Sequence, residues 1–393
     1  MTDYTAWHPT NHPEVDEVDY NQILDHGFEK TASYVIRKNG GTYEALDGST
    51  GKIVSSSTDA ATVFNVVSAL GGLITVKCEL AITSTINIPT GTYVKGLGQM
   101  GNGKISCASD INMITLSAQY SGLRDIQISN SHATYTHNAI VVDDSSSQIF
   151  SLDLQNIFIY KNSVAPTAGG NAILIQSTDP AHGITHNYFC NIKVVGNFYS
   201  TLYFSTVTGG WITGNTFRSF ASYNTEVTTD MDNAADASDN IIEDFDTQYG
   251  ASSVKGIKLN GYRNILLTAR VFDFPDANRG LEIAVTAVDT KVKGCTWSGL
   301  LSDSGTRTRY DDDCLQILTG GNKYAVFSGT GLGLGDPNIT EVAHSLFKTP
   351  TTFMLCNGQN NPTNAYFPGA GCDVTNLWVI ADLNKQFRLY AHV

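Results

Sequence analysis

The 393-residue chain is 41% hydrophobic but only 16% charged, contains 36 glycines, and carries a net charge of −13. This composition supports a large core under a surface of polar, uncharged side chains and excludes a disordered chain. No basic cluster interrupts the acidic excess, so nucleic acid is not expected as a partner.

No apolar run approaches the roughly 18 residues of a membrane-crossing helix, so no membrane insertion is expected. Met1 to His8 lack the basic start and apolar centre of an export signal. Seven scattered cysteines without a C-x-x-C pair read as small buried hydrophobes, and no metal or other cofactor is expected.

In chain order, residues 1–30 read as an acidic tail or attachment segment, with Asp16, Glu17, Asp19, Asp25 and Glu29 but no apolar period. Residues 31–71 predict a β-meander and a capping helix. Two short apolar runs flank Asn39-Gly40, a hairpin signal because both residues tolerate positive φ. The helix is expected from Asp59 to Leu70. Thr58 or Asp59 can cap its free N–H groups, Val63, Phe64, Val67 and Leu70 share one face, and Gly71 supplies the stop.

From residue 72 to 322 the helical period gives way to short recurring strands. Leu123-Arg124-Asp125-Ile126-Gln127-Ile128, Leu154-Gln155-Asn156-Ile157-Phe158-Ile159 and Phe189-Cys190-Asn191-Ile192-Lys193-Val194 share one pattern. Looser copies centre on Asn215, Asp244, Asn264 and Gly294, giving steps of 31, 35, 24, 29, 20 and 30 residues. Such a repeat, with no intervening helices, predicts a solenoid of about ten coils, near 50 Å long. Its open end needs a lid, and the helix is placed to supply it. Gly96-Leu97-Gly98-Gln99-Met100-Gly101 matches a dinucleotide-binding glycine pattern, but strand-like residues follow instead of a helix. These glycines are expected to turn a corner between the first two coils.

The order of amphipathic helix, Gly71-Gly72, Ile74-Thr75-Val76-Lys77, Ile86-Asn87-Ile88-Pro89-Thr90-Gly91 and Val94-Lys95-Gly96-Leu97-Gly98 resembles the entry to the pectate-lyase-like superfamily. Cys78-Glu79-Leu80 departs from that superfamily's usual G-T-Y. The resemblance covers residues 55 to 320 and implies an all-β, single-stranded right-handed parallel β-helix with an N-terminal helix cap. The superfamily includes phage and archaeal-virus tailspikes and polysaccharide lyases and hydrolases.

Residues 323–393 carry strand patterns at Phe353-Met354-Leu355-Cys356, Leu377-Trp378-Val379-Ile380 and the last seven residues. Together with His344-Ser345-Leu346 they resemble the small β domain that ends many phage tail fibres. That likeness implies a homotrimer, a C-terminal domain for trimerisation or receptor binding, and attachment to a virion tail or baseplate through the N-terminus.

Cleavage of a glycan needs two carboxylates or a base beside a charge sink. The richest acidic stretch runs from Asp230 to Asp246, and Glu243, Asp246 and Asp273 are the candidate catalytic residues. The same acids also fit solvated turns, as does Asp311-Asp312-Asp313. Tyr203, Trp211 and Tyr249 are candidate sugar-stacking rings, and Arg279 a candidate substrate contact. The expected function is a viral tailspike or fibre protein that binds a cell-surface polysaccharide, with depolymerisation by hydrolysis or elimination left open. A non-enzymatic structural or adhesion protein and a cellular polysaccharide lyase are the alternatives.

Overall fold

The computed structural model describes residues 32–99, 103–161, 170–250, 253–275, 278–310 and 314–317, together with six C-terminal strands. The acidic segment 1–30 and Asp311-Asp312-Asp313 lie outside the described residues.

The meander is β1 (Tyr34–Asn39), β2 (Thr42–Asp47) and β3 (Ile53–Ser57), followed by α1 (Ala60–Ser68). Asn39 pairs with Thr42, so the hairpin turn is Gly40-Gly41, one residue later than the sequence pattern suggests. Asp59 caps α1 by accepting the N–H groups of Ala61 and Thr62. Val63, Phe64 and Val67 are buried, but Leu70 lies beyond the helix end and is 59% exposed. Gly71, at φ 74°, swings the chain off the helical path at that point, so Leu70 does not join the buried face.

The helix covers the start of the solenoid in a specific way. Asn65 Oδ1 accepts the Asn87 N–H at 3.0 Å and its Nδ2 donates to the Thr85 carbonyl at 3.2 Å, satisfying backbone groups at the first coil's open edge. β1 covers the neighbouring edge by pairing in parallel with Gly72–Val76.

Beyond this lid the chain winds through three parallel sheets. Sheet A runs from Gly72–Val76 through Gly122–Asn130, Asp153–Lys161, Tyr188–Gly196, Thr216–Tyr223 and Ile241–Gln248 to Leu315–Ile317. Sheet B has nine strands, from Ile86–Ile88 to Leu300–Asp303, and sheet C has four short ones, from Ile149–Phe150 to Ala237–Ser238. Each strand pairs with the strand one coil later, as with Leu123, Leu154, Phe189 and Phe217 in successive rungs. Parallel crossovers of this kind are right-handed, so the molecule is a right-handed parallel β-helix.

Its interior is filled by inward columns. Phe189 stacks on Phe217 at 4.7 Å between centroids and Phe220 on Phe245 at 4.6 Å.

Two columns of polar residues set the corners. Asp125, Asn156, Asn191, Ser219, Asp244 and Thr268 each take positive φ in the middle of a sheet A rung, bending the sheet into two limbs. Asn and Asp adopt this conformation more readily than other side-chain-bearing residues, and here they also bond along the column: Asn156 Nδ2 donates to Asp125 Oδ1 at 2.9 Å and Asn191 Nδ2 to Asn156 Oδ1 at 2.8 Å.

Asn187, Asn215, Asn240 and Asn264 form a second, wholly buried ladder at the entry to sheet A. Each of the first three donates its amide to the Oδ1 of the next, at 2.9 to 3.0 Å. The sequence repeat had placed Asn215 and Asn264 on the same corner as Asp125. They belong to this inner ladder, and the corner positions on those rungs are Ser219 and Thr268.

Gly96 and Gly98 follow the Thr92–Lys95 strand and Gly103 precedes Lys104–Cys107, both of the second rung, so these glycines lie at a corner within a rung rather than between coils; Gly101 lies outside the described residues. A Cβ on Gly96 would lie 2.3 Å from the Asp125 carbonyl, so the close backbone approach accounts for that glycine. The C-terminal strands form two antiparallel three-stranded sheets, one of them joining Tyr324–Thr330, Gln386–His392 and Thr352–Asn357.

Candidate functional site

On four successive rungs of sheet B, core residues flank one position that must face outward, because strand side chains alternate. Leu202 and Phe204 flank Tyr203, Thr229 and Met231 flank Asp230, Ile257 and Leu259 flank Lys258, and Leu281 and Ile283 flank Glu282. Register aligns Tyr203 with Asp230, Asp230 with Lys258, and Lys258 with Glu282. The result is a straight outward column of a phenol, an acid, a cation and an acid.

Although it faces outward, the column is sheltered: Asp230 is 4% exposed, Lys258 6% and Glu282 8%. Tyr199 donates its hydroxyl to Asp230 Oδ2 at 3.1 Å and packs edge-on against Tyr203 at 6.0 Å. Asn233 Nδ2 donates to the Tyr203 hydroxyl.

Glu282 gathers three cations. Arg279 Nη1 lies 2.8 Å from Oε1, Lys258 Nζ 3.5 Å from Oε1, and Lys255 Nζ 3.5 Å from Oε2. Among the described residues no donor reaches Oε2 with hydrogen-bond geometry, although this oxygen is shielded from solvent. The nearest cation to Oε2 is the Lys255 ammonium, so this oxygen is held by charge rather than by an aligned hydrogen bond.

The acids of the site are pushed in opposite directions. Burial alone would raise Glu282, but the Arg279 hydrogen bond and the three nearby cations outweigh it and hold the carboxyl below its usual range. Glu226, just before the Asp230 strand, is raised: burial dominates, Lys255 opposes it, and the Asp230 charge adds to it. Tyr199 is raised as well, by burial and by its Asp230 partner. Two carboxyls pushed apart in this way suit an acid/base pair. Their strands lie two rungs apart, about 10 Å between backbones, and Glu226 stands four positions further back along its strand than Glu282.

Of the residues selected from sequence, Tyr203 falls in this column and Arg279 touches it through Glu282, and the others do not. Glu243 and Asp246 straddle the positive-φ corner at Asp244, and they pair with different arginines. Arg218 Nε lies 3.6 Å from Glu243, while Arg270 holds Asp246 with Nε at 2.6 Å and Nη2 at 2.8 Å. Burial, partly opposed by Arg270, raises Asp246. Asp273 is an exposed positive-φ residue after the Arg270–Phe272 strand. Trp211 packs over Gly183 in sheet C, and Tyr249 packs edge-on against Phe274 at 5.4 Å.

Sequence reading passed over Glu226, Lys258 and Glu282, counted Tyr199 only among the aromatics along the repeat, and Asp230 only as part of an acid-rich stretch. The legible signal was the triplet of core residue, polar residue, core residue: Leu202-Tyr203-Phe204, Ile257-Lys258-Leu259 and Leu281-Glu282-Ile283. Among the described residues no group of three His, Cys, Asp or Glu side chains is placed to hold a metal ion.

The chain is a parallel β-helix. No protein-family model matches its sequence, and no curated protein matches it either. Solved structures similar to it include the Dettilon tailspike protein gp208, at 12% identity and TM-score 0.35 over 85% of this chain and 90% of that one. Another is the tailspike protein gp49 of Acinetobacter baumannii bacteriophage Fri1, a capsular polysaccharide depolymerase, at 8% identity and TM-score 0.33 over 84% of this chain and 81% of that one. A third is a mutant tailspike protein of E. coli bacteriophage HK620 in complex with a hexasaccharide, at 10% identity and TM-score 0.30 over 96% of this chain and 100% of that one.

Proposed function

We propose that the protein is a virion spike or fibre component that binds a cell-surface polysaccharide along the outer face of sheet B and hydrolyses it there. The carrying observation is the Glu282 carboxylate, held by Lys255, Lys258 and Arg279 on the same outer face as the raised carboxyl of Glu226. In this reading Glu226 protonates the leaving glycosidic oxygen and Glu282 takes a proton from the attacking water. The glycosidic bond breaks as the new carbon–oxygen bond forms on the opposite face of the sugar, with inversion. Tyr199 and Tyr203 supply ring faces and edges for the adjoining sugars. Asp230 accepts the Tyr199 hydroxyl and stands in register with Lys258, orienting both.

The outer face of sheet A's second limb suits self-association. Tyr160, Val195, Tyr223 and Phe272 recur at one outward position on rungs that stack in register, with Gln248 between the last two. Tyr223 is 45% and Phe272 37% exposed, a flat apolar stripe of the kind copies bury against one another. We place the homotrimer contact there, with further association through residues 323–393 and virion attachment through residues 1–30.

Mass spectrometry of products from capsular and envelope polysaccharides tests the reaction. Fragments gaining one water are expected. Unsaturated ends would mean elimination instead, and retention without fragments would make this a binding protein alone.

A further inference from the structure

One column of the core follows directly after the positive-φ corner of sheet A. It runs from Ile126 through Ile157, Ile192, Phe220 and Phe245 to Ala269 and is apolar on each of these rungs. The next two rungs place Cys295 and Cys314 in it. Thr296 pairs with Arg270 on one side and Leu315 on the other, so the residues just before them, Ala269, Cys295 and Cys314, stand in register on consecutive rungs.

Both cysteines are thiols and both are 2% exposed. Cys295 Sγ donates to the Lys293 carbonyl at 3.2 Å, and Cys314 Sγ to the Val292 carbonyl at 3.4 Å. The Cys314 side chain also hydrogen-bonds Cys295, and this contact together with burial pushes the Cys295 thiol well above its usual range. Adjacent strands of a sheet lie about 4.8 Å apart, within the span of about 4.4–6.8 Å between the Cα atoms of a disulfide. Among the described residues no other two cysteines meet this condition. Cys78 lies opposite Gly103, Cys107 is aligned with Ile82 and Asn130, and Cys190 with Gln155 and Arg218.

We infer that Cys295 and Cys314 form a disulfide site, closed when the folded chain meets a low-molecular-weight disulfide. One cysteine loses its proton and its sulfur attacks the reagent, breaking the reagent's S–S bond and releasing one small thiol that takes up the proton. The second cysteine then displaces the other small thiol in the same way as the Sγ–Sγ bond forms. The protein gives up two hydrogen atoms, and the reagent is reduced to two thiols.

The bond closes the final coil on itself. The two cysteines are 19 positions apart, and the interval carries Leu300–Asp303 of sheet B and Arg309–Tyr310 of sheet A. This is the end of the solenoid opposite the lid formed by α1, where Leu315–Ile317 is the last strand of sheet A. A covalent ring there resists unwinding of the stack from that end. The raised Cys295 thiol guards the pair against indiscriminate oxidation, since the thiolate is the reactive form.

The test is incubation of the full chain with oxidised glutathione at mildly alkaline pH, followed by acid quenching, unfolding, alkylation of the remaining thiols and peptide mass spectrometry. A peptide pair joined through Cys295 and Cys314, two hydrogen atoms lighter than the separate peptides, is expected, with Cys78, Cys107 and Cys190 alkylated. Thermal melting should rise by about 3 °C on oxidation and return on treatment with dithiothreitol. Cys314→Ala should show neither the cross-link nor the rise, and Cys190→Ala should show both. Alkylation of both Cys295 and Cys314 after the incubation would overturn the inference, as would a glutathione adduct left on either one. A cross-link that leaves melting unchanged would overturn the ring's part in holding the last coil.

Discussion

Asp230 and Glu282 occupy the same outward column of sheet B, two rungs apart, with Lys258 in register between them. The cation separates two carboxylates that would otherwise repel across a sheltered face, whereas burial raises the Glu226 carboxyl just before the Asp230 strand.

Glu226→Gln and Glu282→Gln should each lower polysaccharide turnover by about 100- to 10,000-fold, the range for loss of a general acid or base. Binding should change little. Reducing-end assays, with retention of the uncleaved polymer as control, check both statements.

Turnover should show a bell-shaped pH dependence. Catalysis needs Glu282 ionised and Glu226 protonated, so activity falls as pH drops through the lowered Glu282 value and again as pH rises through the raised Glu226 value. In Glu226→Gln the alkaline limb should vanish from the residual rate.

Glu243→Gln, Asp246→Asn and Asp273→Asn should leave turnover within about twofold and stability within about 1 kcal/mol, because they are surface ion pairs and an exposed corner. A large loss of turnover in any of them would move the site to sheet A.

Asn240→Ala should lower stability by about 3 kcal/mol, near the upper end for orphaned buried hydrogen-bonding groups. The change removes the acceptor of the Asn215 N–H and side-chain amide and the donor to the Ile212 carbonyl. Denaturant titration reads this directly. Asp239→Asn, in the exposed pair with Arg263, should cost under about 1 kcal/mol.

Lys161 is 2% exposed, donates to the Tyr135 carbonyl at 3.0 Å, and lies over the rings of Tyr135 and Phe198. Burial pulls its ammonium down to about 8 from 10.5. Between those values the unfolded chain binds more protons than the folded one, so this group's contribution to stability rises with pH and is lost as pH falls through 8. Melting temperature followed from pH 7 to 11 should show that rise in the parent and lack it in Lys161→Met.

The architecture was largely readable because its signals are local. Asn156 and Asn191 mark a corner that only a few residue types tolerate, and Asp59, Val63, Phe64 and Val67 mark a short amphipathic helix. The site was less readable because it depends on stacking register. Glu226, Asp230 and Glu282 are separated by up to 56 positions in the chain yet lie within two rungs, and only an alignment of strands places them side by side. Local density of acid favoured Glu243 and Asp246 instead, but the positive-φ residue Asp244 sends these two onto different limbs of sheet A. Tyr203 was legible as an aromatic on the repeat. Arg279 was legible as a lone cation in an acidic stretch.

Over Tyr203, Asp230, Lys258 and Glu282 the register of sheet B acts as a ruler graduated by backbone hydrogen bonds. Because inward and outward positions alternate along these strands, a change at Tyr203, Lys258 or Glu282 alters what is displayed at one graduation without disturbing the scale. A lineage of such proteins can therefore vary its outer face one rung at a time, while the interior that carries the ruler stays untouched.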